Sequence, residues 1–345
     1  MAIDPQMQAV LESLADFNAP PPNTLPAKEA RKGPTPADAV KKLLTERGQD
    51  TTPKPVGRVT EITIPTSAGD LQARTYAPSG DGPFPVIVYF HGGGWVIADL
   101  DVYDSSPRAL CNAAKAMVVS VHYRQAPEDP YPAAHDDALA AYEWVTAHAA
   151  DLGGDPDRVA IVGESAGGNL AISTSLRVRD SGGTLPVHQV LAYPISGASF
   201  DTPSYVEHAN AKPLSRDMMI WFWDNYAPDP ESRLDPYLTP VNADLAGMPP
   251  TTIILAEIDP LRSEGEVLAE RLKRAGVQTT VKTFMGVTHE FFGTGAAVAK
   301  AKEAVELAGS ELRAAFGTDV VAVGPGADDR SQAAAGIARG VSGTV

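Results

Sequence analysis

Residues 159–168 read Val159-Ala160-Ile161-Val162-Gly163-Glu164-Ser165-Ala166-Gly167-Gly168. The first four residues are apolar and favour a buried strand, and Asn169–Ile172 can begin a helix. Glycines on both sides of Ser165 permit a turn that is too tight for side chains, so the serine projects at its apex. The N-terminus of the following helix favours negative charge that develops beside the serine. This strand–turn–helix context predicts a nucleophilic serine, and an ordinary surface loop is the alternative.

Short apolar runs alternate with longer amphipathic segments on both sides of this stretch. Between the apolar runs at Met117–Val121 and Val159–Val162 lies Asp136–Ala149, where apolar residues recur at helical intervals and predict a helix that faces a sheet. Strands that alternate with helices predict an α/β fold with a mostly parallel sheet. The predicted strands are a hairpin of Arg58–Pro65 and Leu71–Tyr76, then Val86–Phe90, Met117–Val121, Val159–Val162, Val190–Tyr193, Thr252–Ala256 and Thr279–Phe284.

The chain divides into segments of different character. Residues 1–50 are predicted to form two helices, which the Pro-rich run at Ala19–Pro22 separates, and residues 51–317 are predicted to form the α/β domain. Residues 195–249 are too long for a simple crossover and concentrate aromatic residues, so we expect a partly helical insertion that joins residues 1–50 as a cap. Residues 318–345 are rich in Gly and Ala with weak periodicity and are predicted to be a loosely ordered tail.

Composition and charge limit the classes of function. The 345 residues carry a net charge of −15, a field that repels nucleic acids and anionic membranes, so neither is expected as a partner. Cys111 is the only cysteine, which excludes an internal disulfide and a cysteine-based zinc site, and no metal is expected. The N-terminus lacks the basic and apolar regions of a signal peptide, and no run of about 18 apolar residues occurs, so the sequence predicts a cytoplasmic protein without a membrane span.

A second glycine-rich turn follows the predicted strand Val86–Phe90. It reads His91-Gly92-Gly93-Gly94-Trp95, and successive glycines leave backbone N–H groups free to approach a substrate oxygen. We predict that Gly93 and Gly94 donate hydrogen bonds to an oxyanion, with the N–H of Ala166 as the third donor. The histidine at the start of the run is expected to support the loop rather than to act as a base. A flexible turn without a catalytic role is the alternative.

A serine hydroxyl near its free pKa is a poor nucleophile, so Ser165 needs a neighbouring base. Seven histidines are available, and His289 stands in a turn just after the predicted strand Thr279–Phe284. We predict that His289 is the base, because a loop past a late strand is where a fold of this class places a catalytic histidine. His122 also follows a predicted strand and is the rival.

The base in turn needs a carboxylate that fixes its tautomer and stabilises its charged form. Asp259 follows the predicted strand Thr252–Ala256 after only two intervening residues, so it also lies at the carboxyl end of a strand. We predict that Asp259 accepts a hydrogen bond from the histidine. Glu257 is the nearby alternative acid, and a turn or an N-cap before Pro260 is the alternative role for Asp259 itself.

Together these motifs resemble the hormone-sensitive-lipase-like group of carboxylesterases and lipases within the α/β-hydrolases. The resemblance runs from about Glu61 to Phe316 and includes the order serine, aspartate, histidine along the chain. It implies an α/β-hydrolase fold with a mostly parallel eight-stranded sheet flanked by helices, a helical cap, and esterase activity on short acyl chains without a cofactor. Further stretches that carry the resemblance are His122-Tyr123-Arg124-Gln125-Ala126-Pro127-Glu128, Tyr131-Pro132-Ala133-Ala134 and Asp259-Pro260-Leu261-Arg262.

Several positions depart from the usual pattern of this group without removing a catalytic residue. Glu164 stands where the group more often has Asp or Thr, and Ser263 stands where Asp is usual. Glu290 follows His289 in place of the common Gly. It adds a carboxylate beside the predicted base, and our hypothesis is that it raises the pKa of His289 or narrows the site.

The expected reaction is hydrolysis of a small carboxylic ester by two-step acyl transfer. The substrate needs an apolar pocket, and Trp95, Tyr193 and Trp221 are predicted to contribute to it, although packing of the cap onto the core is the simpler explanation of the aromatic residues in 195–249. Hydrolysis of an amide or a carbamate, as in an arylformamidase, is the enzymatic alternative. The motifs do not separate these reactions, because contacts in the cap determine which leaving group is accepted.

A ligand receptor without catalysis is the alternative from another class. The plant gibberellin receptor resembles the same family, but such receptors lose the triad histidine, whereas His289 is present here. Homodimerisation is common in the family, often by pairing of sheet edges, and the sequence leaves it open.

Overall fold

One eight-stranded sheet runs through residues 2–318, the part of the chain that the computed structural model describes. Except for Thr318, the predicted tail 318–345 lies outside the described residues. The strands are β1 (Arg58–Thr66), β2 (Gly69–Ala77), β3 (Phe84–Phe90), β4 (Met117–His122), β5 (Gly154–Glu164), β6 (Gln189–Ala192), β7 (Thr251–Ile258) and β8 (Thr279–Thr288). The helices are α1 (Pro5–Ala15), α2 (Ala27–Ala30), α3 (Pro36–Glu46), α4 (Ser105–Ala114), α5 (Ala133–His148), α6 (Ala166–Ser181), α7 (Pro203–Glu207), α8 (Arg216–Tyr226), α9 (Arg262–Arg274) and α10 (Ala299–Phe316).

The strand order of the sheet is β1-β2-β4-β3-β5-β6-β7-β8. β2 runs antiparallel to both of its neighbours, β1 and β4, whereas the remaining pairs are parallel. The β1–β2 hairpin closes on the pair Thr66 and Gly69, around the turn that the sequence indicates. This topology confirms the predicted α/β class with a mostly parallel, eight-stranded sheet flanked by helices.

Apolar clusters cover both faces of the sheet. Along β3, the side chains of Val86, Val88 and Phe90 pack into one cluster, while Ile87 and Tyr89 pack into the other. Successive side chains of a strand point to opposite faces, so a strand that is covered on both faces is apolar throughout. Helices α5, α6 and α9 contribute to the first cluster, and α1, α3, α4 and α10 contribute to the second.

Two strands extend beyond the bounds that their apolar runs predict. β5 begins at Gly154 rather than at Val159, because Gly154 pairs with β3 across a register shift. β8 continues to Thr288 rather than ending at Phe284, because Thr288 pairs with the last residue of β7. Backbone pairing does not require apolar side chains, so apolar runs locate the centre of a strand and not its ends.

The N-terminal helices begin at strong capping signals. The Asp4 carboxylate accepts a hydrogen bond from the N–H of Gln6 at 2.9 Å, with proline as the first residue of α1. Thr35 and Asp38 form a reciprocal capping box at the start of α3. Helix α1 ends at Ala15, and the short helix α2, which lies between the two predicted helices, was not predicted.

Residues 195–249 contain the helices α7 and α8 within a largely irregular chain. Helix α8 turns Phe222 and Trp223 into the core, and its last residue, Tyr226, accepts a hydrogen bond at its carbonyl oxygen from the N–H of Tyr131 at 2.7 Å. The helix therefore lies over the loops that follow β3 and β4. None of the helices within residues 2–318 combines the length and the apolarity that crossing a membrane requires.

Candidate active site

The carboxyl ends of the parallel strands meet at one edge of the sheet, and the predicted site residues stand there. His91 directly follows β3, Ser165 directly follows β5, Asp259 directly follows β7 and His289 directly follows β8. Because these strands are neighbours or near neighbours in the sheet, residues far apart in the chain come together at this edge.

Ser165, His289 and Asp259 form a continuous hydrogen-bond chain. The Oγ atom of Ser165 lies 2.9 Å from Nε2 of His289, and Nδ1 of His289 lies 2.7 Å from Oδ2 of Asp259. A carboxylate can only accept, so Nδ1 carries the proton and Nε2 is left to accept from the serine hydroxyl. The other oxygen of Asp259, Oδ1, accepts the N–H of Leu261 at 2.9 Å, which fixes the carboxylate.

The two rival residues of the sequence analysis lie outside this chain. The Glu257 carboxylate accepts the N–H of Gly286 at 2.5 Å and holds the backbone of β8. Nδ1 of His122 lies 3.4 Å from Nε2 of His91, in a separate group of rings. The hydrogen-bond geometry at Ser165 is therefore made by His289 and Asp259 and by neither rival.

The environment of His289 favours its charged form. The ring is 2% exposed, and this burial by itself lowers the pKa of His289. The charge and hydrogen bond of Asp259 act in the opposite direction, as do the charges of Glu290 and Glu164, and the net result is a pKa above the usual value for histidine. The His289 ring is thus buried from water, and several nearby carboxylates stabilise its imidazolium form.

The turn at Ser165 is strained in the way that the glycine pattern predicts. Ser165 has φ 55° and ψ −116°, a conformation that a non-glycine residue adopts only when its surroundings impose it, at a cost of about 1–3 kcal/mol. A Cβ atom at Gly163 would collide with the carbonyl of Gly167, and one at Gly167 would collide with the carbonyl of Phe90. Both glycines are therefore required by backbone contact, and the N–H of Ser165, bonded to the carbonyl of Ala192 at 2.9 Å, secures the turn.

The second glycine turn packs directly against the serine turn. A Cβ at Gly92 would lie 3.2 Å from the carbonyl oxygen of Glu164, and Gly93 and Gly94 have φ of 99° and 58°. The carbonyl of Gly93 accepts from two later N–H groups, whereas within residues 2–318 the N–H groups of Gly93 and Gly94 donate to no protein acceptor. Ala166 opens α6, where the first N–H groups have no partner within the helix. These donors are available to a ligand oxygen.

His91 contacts the backbone of the glycine turn and packs against Tyr123. Its Nδ1 atom lies 2.7 Å from the carbonyl oxygen of Gly92, and its ring stacks on the ring of Tyr123 with centroids 4.4 Å apart. Burial, followed by the influence of His122, lowers the pKa of His91 to about 3, so the ring is neutral. The hydroxyl of Tyr123 donates to the carbonyl oxygen of His91 at 2.9 Å. The arrangement agrees with the supporting role that the sequence indicates.

The three aromatic residues predicted for the substrate pocket occupy different environments. Trp95 is fully buried, and its ring stacks on Tyr226 with centroids 4.6 Å apart. Tyr193 is also fully buried, with its ring 4.6 Å from the ring of His289. Trp221 on α8 is half-buried and lies beside Phe222. Burial favours packing over substrate contact for Trp95 and Tyr193, and the pocket assignment of all three stays a prediction.

Phe222 is a site residue that the sequence analysis did not separate from its aromatic neighbours. A Cβ at Gly94 would fall on the ring of Phe222, so this side chain of α8 lies against the glycine turn. The ring is buried, and it closes the turn from the side of the irregular segment. Nothing in the local sequence distinguishes Phe222 from Trp221 or Trp223, because only the packing of α8 decides which ring meets the glycine.

A second group that the sequence did not predict consists of the buried Glu164, the partly exposed Glu290 and three tyrosines. Glu164, immediately before the serine, accepts the hydroxyls of Tyr89 at 2.7 Å and Tyr193 at 2.5 Å. Burial and then the charge of Glu290 raise the pKa of Glu164 to about 7. The Glu290 carboxylate accepts the hydroxyl of Tyr103 at 2.8 and 2.7 Å. The departures at positions 164 and 290 were visible in the sequence, but their tyrosine partners were not.

No group of three or more His, Cys, Asp or Glu side chains within residues 2–318 is arranged to hold a metal ion. Cys111 lies buried in α4, and burial raises the pKa of its thiol to about 12. Burial and the raised pKa therefore argue against Cys111 as a nucleophile.

Comparison with known proteins adds relatives over most of the chain. The carboxylesterase NlhH of Mycobacterium tuberculosis is 43% identical over 240 residues, which are 68% of this chain and 75% of that protein. The ethyl acetate hydrolase of Pseudomonas putida is 35% identical over 251 residues, which are 71% of this chain and 79% of that protein.

Solved structures agree with this relationship. A thermostable esterase from Pseudomonas putida has a TM-score of 0.84 and 33% identity, covering 91% of this chain and 98% of its own. A hyperthermophilic esterase from Pyrobaculum calidifontis has a TM-score of 0.81 and 36% identity, covering 91% of this chain and 99% of its own. A protein family described by the alpha/beta hydrolase fold matches residues 87–293. The chain belongs to this α/β-hydrolase family, in the hormone-sensitive-lipase-like group that its motifs resemble.

Proposed function

We propose that the protein is a carboxylesterase that hydrolyses short-chain carboxylic esters through an acyl-enzyme on Ser165. The observation that carries this proposal is the unbroken hydrogen-bond chain from Ser165 through His289 to Asp259 at the carboxyl edge of the sheet. Relatives named as a carboxylesterase and as an ethyl acetate hydrolase support the same reaction class.

The first half of the reaction uses the three side chains in order. Ser165 Oγ attacks the ester carbonyl carbon while Nε2 of His289 takes the hydroxyl proton, and the positive charge of the ring is stabilised by Asp259. The tetrahedral intermediate collapses, and Nε2 returns the proton to the leaving alkoxide, which departs as an alcohol. In the second half, water attacks the acyl-enzyme with His289 again as the base, and the carboxylic acid leaves.

The negative oxygen of each tetrahedral intermediate needs donors that are in place beforehand. We assign this role to the N–H groups of Gly93, Gly94 and Ala166. The unengaged N–H groups of the glycine turn and its close packing on the serine turn support the assignment. Ala166 contributes in addition the N-terminus of α6, whose dipole favours the same charge.

The limitation to short acyl chains is assigned to the segments that cover the sheet edge. Ser165 is 4% exposed, and the ring of Phe222 lies against Gly94, so room beside the nucleophile is restricted. We propose that residues 1–50 and 195–249 act together as a cap over the domain formed by residues 51–317. Hydrogen bonds from Arg31 to the carbonyls of Val96 and Ala126, each 2.8 Å long, support a role of the N-terminal segment at the edge.

The test is hydrolysis of p-nitrophenyl esters from acetate to palmitate by the full chain and by Ser165→Ala. We expect fast release of nitrophenol from acetate and butyrate, weak release from palmitate, and a loss of at least about 10⁴-fold in the variant. A folded protein that is inactive on every ester contradicts the proposal, and amide substrates would then be assayed first. Equal rates for the variant and the parent protein would exclude Ser165 as the nucleophile.

A further inference from the structure

Glu290 faces the reacting nitrogen of the proposed base. Its Oε1 atom lies 3.7 Å from Nε2 of His289, the nitrogen that exchanges the proton with Ser165, whereas Asp259 binds the other nitrogen. The ring therefore lies between two carboxylates, one at each nitrogen. The Glu290 side chain is one-fifth exposed, so water screens its charge only in part.

The backbone and a tyrosine hold Glu290 in this position. Glu290 has φ 66°, a left-handed conformation that favours glycine and is strained for a glutamate. The hydroxyl of Tyr103, which comes from the loop before α4, donates to both carboxylate oxygens. A strained residue that is fixed by a specific partner beside a reacting atom indicates a functional constraint.

Other ionisable groups surround the pair from every packed element. Asp259 follows β7, Glu164 ends β5, and their charges act on His289 together with that of Glu290. Burial raises the pKa of Glu290, the charge of His289 and the hydrogen bond from Tyr103 lower it, and the net direction is upward. The charge of Glu290 also acts on four tyrosines and raises the pKa of each. They are Tyr89 on β3, Tyr103 before α4, Tyr123 after β4 and Tyr193 after β6.

We propose that Glu290, held by Tyr103, is a positioning residue that stabilises the imidazolium of His289 from its Nε2 side during acyl transfer. The inference rests on the proposed function and deepens it, because it concerns the same site. When Nε2 takes the proton from Ser165 Oγ, the new positive charge is shared between Asp259 and Glu290. The proton then passes to the leaving alkoxide, and Glu290 itself neither gains nor loses one.

The consequence for the pH dependence follows from the charges. The base acts only when His289 is neutral, and a nearby negative charge keeps the ring protonated up to higher pH. In a plot of kcat/KM against pH, the rise on the acid side (the acid limb) follows the loss of the proton from His289. Removal of the Glu290 charge therefore shifts this acid limb of kcat/KM to lower pH. The change also weakens the base, since proton transfer is less favourable to a ring with a lower pKa.

The decisive variant is Glu290→Gln, which keeps the length of the side chain and an acceptor for Tyr103. We expect the acid limb of kcat/KM to move to lower pH by about one unit and the plateau of kcat to fall by roughly three- to tenfold, with KM little changed. A lower kcat at every pH, with the limb in its original place, indicates a structural role only and overturns the proposal.

Tyr103→Phe tests the holding contact separately. Without the tyrosine hydroxyl, burial keeps Glu290 neutral over a wider pH range, so the acid limb moves in the same direction as in Glu290→Gln. The double variant is expected to match Glu290→Gln alone, because both changes remove the same charge. Additive shifts would mean that the two residues act independently, which contradicts the proposal.

Glu264→Gln is the matched control. Glu264 is another buried glutamate near the sheet edge, but its Oε1 atom accepts the N–H groups of Ser196 and Gly197 and contacts neither His289 nor Ser165. We expect its acid limb to stay in place. An equal shift in this control would show that any buried glutamate has the effect, and the proposal would fail.

A readout without catalysis separates this inference from the proposed function. The pKa of His289 is measured by NMR titration of its ring in Ser165→Ala and in Ser165→Ala with Glu290→Gln, after thermal unfolding shows that both are folded. The proposal expects a lower pKa in the second protein, and equal values overturn it. Absence of ester hydrolysis in the parent protein would refute the proposed function and leave this comparison of pKa values intact.

Discussion

The sheet edge and the segments that cover it are built on different physical principles. The sheet edge, defined as His91–Gly94, Ser165, Asp259 and His289, holds its polar groups one residue past the strands by hydrogen bonds and strained backbone. The covering segments, residues 1–50 and 195–249, meet this edge through aromatic rings and a few side-chain contacts. We propose from this difference that the edge carries out the reaction and that the covering segments limit which substrates reach it.

Specific contacts join the covering segments to the domain beside the sheet edge. The ring of Phe222 lies on Gly94, and the guanidinium of Arg31 binds the carbonyls of Val96 and Ala126 and the carboxylate of Glu128. The N–H of Asp4 donates to the carbonyl of Gly286 at 2.8 Å, close to the loop of the histidine. Changes at these contacts should alter substrate range, while changes at the edge itself should alter the rate on every substrate.

Asp259→Asn has the largest expected effect, because it acts at the sheet edge alone. An amide in place of the carboxylate no longer stabilises the imidazolium or the correct tautomer, so kcat should fall by about 10⁴-fold on all esters. The matched control is Glu257→Gln, which removes a neighbouring buried carboxylate outside the hydrogen-bond chain and should cost less than tenfold. Steady-state kinetics on the acetate ester give both values, and equal losses would contradict the assignment of Asp259.

Gly94→Ala acts where the edge and the cover touch. The residue has φ 58° and an added Cβ would fall on the ring of Phe222, so the turn must shift and displace an oxyanion donor. We expect kcat to fall by about 10²–10³-fold with KM less affected. Gly48→Ala, with φ 62° and open space around it, is the control for backbone strain alone and should retain full activity. Retained activity in Gly94→Ala would remove this turn from the mechanism.

Phe222→Ala changes a residue of the covering segments and leaves every residue of the sheet edge as it is. The lost ring opens space beside Gly94, so we expect kcat/KM for an octanoate ester to rise about tenfold relative to acetate, at a cost of about 3–5 kcal/mol in the free energy of unfolding. Met219→Ala, on the same helix and equally buried, is the control for destabilisation and should leave the ratio of the two esters unchanged. An unchanged ratio in Phe222→Ala would mean that this ring does not limit the acyl chain.

The smallest effect is expected at Glu264, which binds the backbone of the covering segment at Ser196 and Gly197, and it concerns the free energy of unfolding. Burial raises the pKa of Glu264 to about 8, above its value in the unfolded chain, so the folded state binds more protons between these values. Stability is therefore greatest below the unfolded pKa and falls as pH rises towards about 8. Glu264→Gln should flatten this dependence in denaturant unfolding from pH 5 to 8, whereas the exposed Glu266→Gln should not. A steeper slope in Glu264→Gln would contradict the raised pKa.

The sheet edge could be predicted from the sequence because its signals are local. The serine turn needs Gly163 because a Cβ there would collide with the carbonyl of Gly167, only four residues away, and apolar runs mark the centres of β3, β5 and β7. Parallel strands bring their carboxyl ends together, so residues that follow them meet without any knowledge of long-range contacts. The positions of Ser165, Asp259 and His289 just past predicted strands are therefore visible in the sequence.

The cover and the second carboxylate could not be predicted in the same way. Tyr103 and Glu290 lie 187 residues apart in the chain, and the residues around each of them do not indicate that the two side chains are in contact. The four aromatic residues of α8 look equivalent in sequence, yet one meets Gly94 and another stacks on Trp95. These contacts depend on how an irregular segment packs, and side-chain packing over long separations has no local signature.

Within residues 2–318, Ser165 is the residue whose hydroxyl is bonded to His289, so we expect Ser165 alone to become covalently modified. The most direct measurement is mass spectrometry of the intact protein and its peptides after reaction with diethyl p-nitrophenyl phosphate, which phosphorylates an activated serine. We expect one adduct, mapped to the peptide that contains Ser165, and none in Ser165→Ala. An adduct on another residue, or ester hydrolysis that survives in Ser165→Ala, would contradict this expectation.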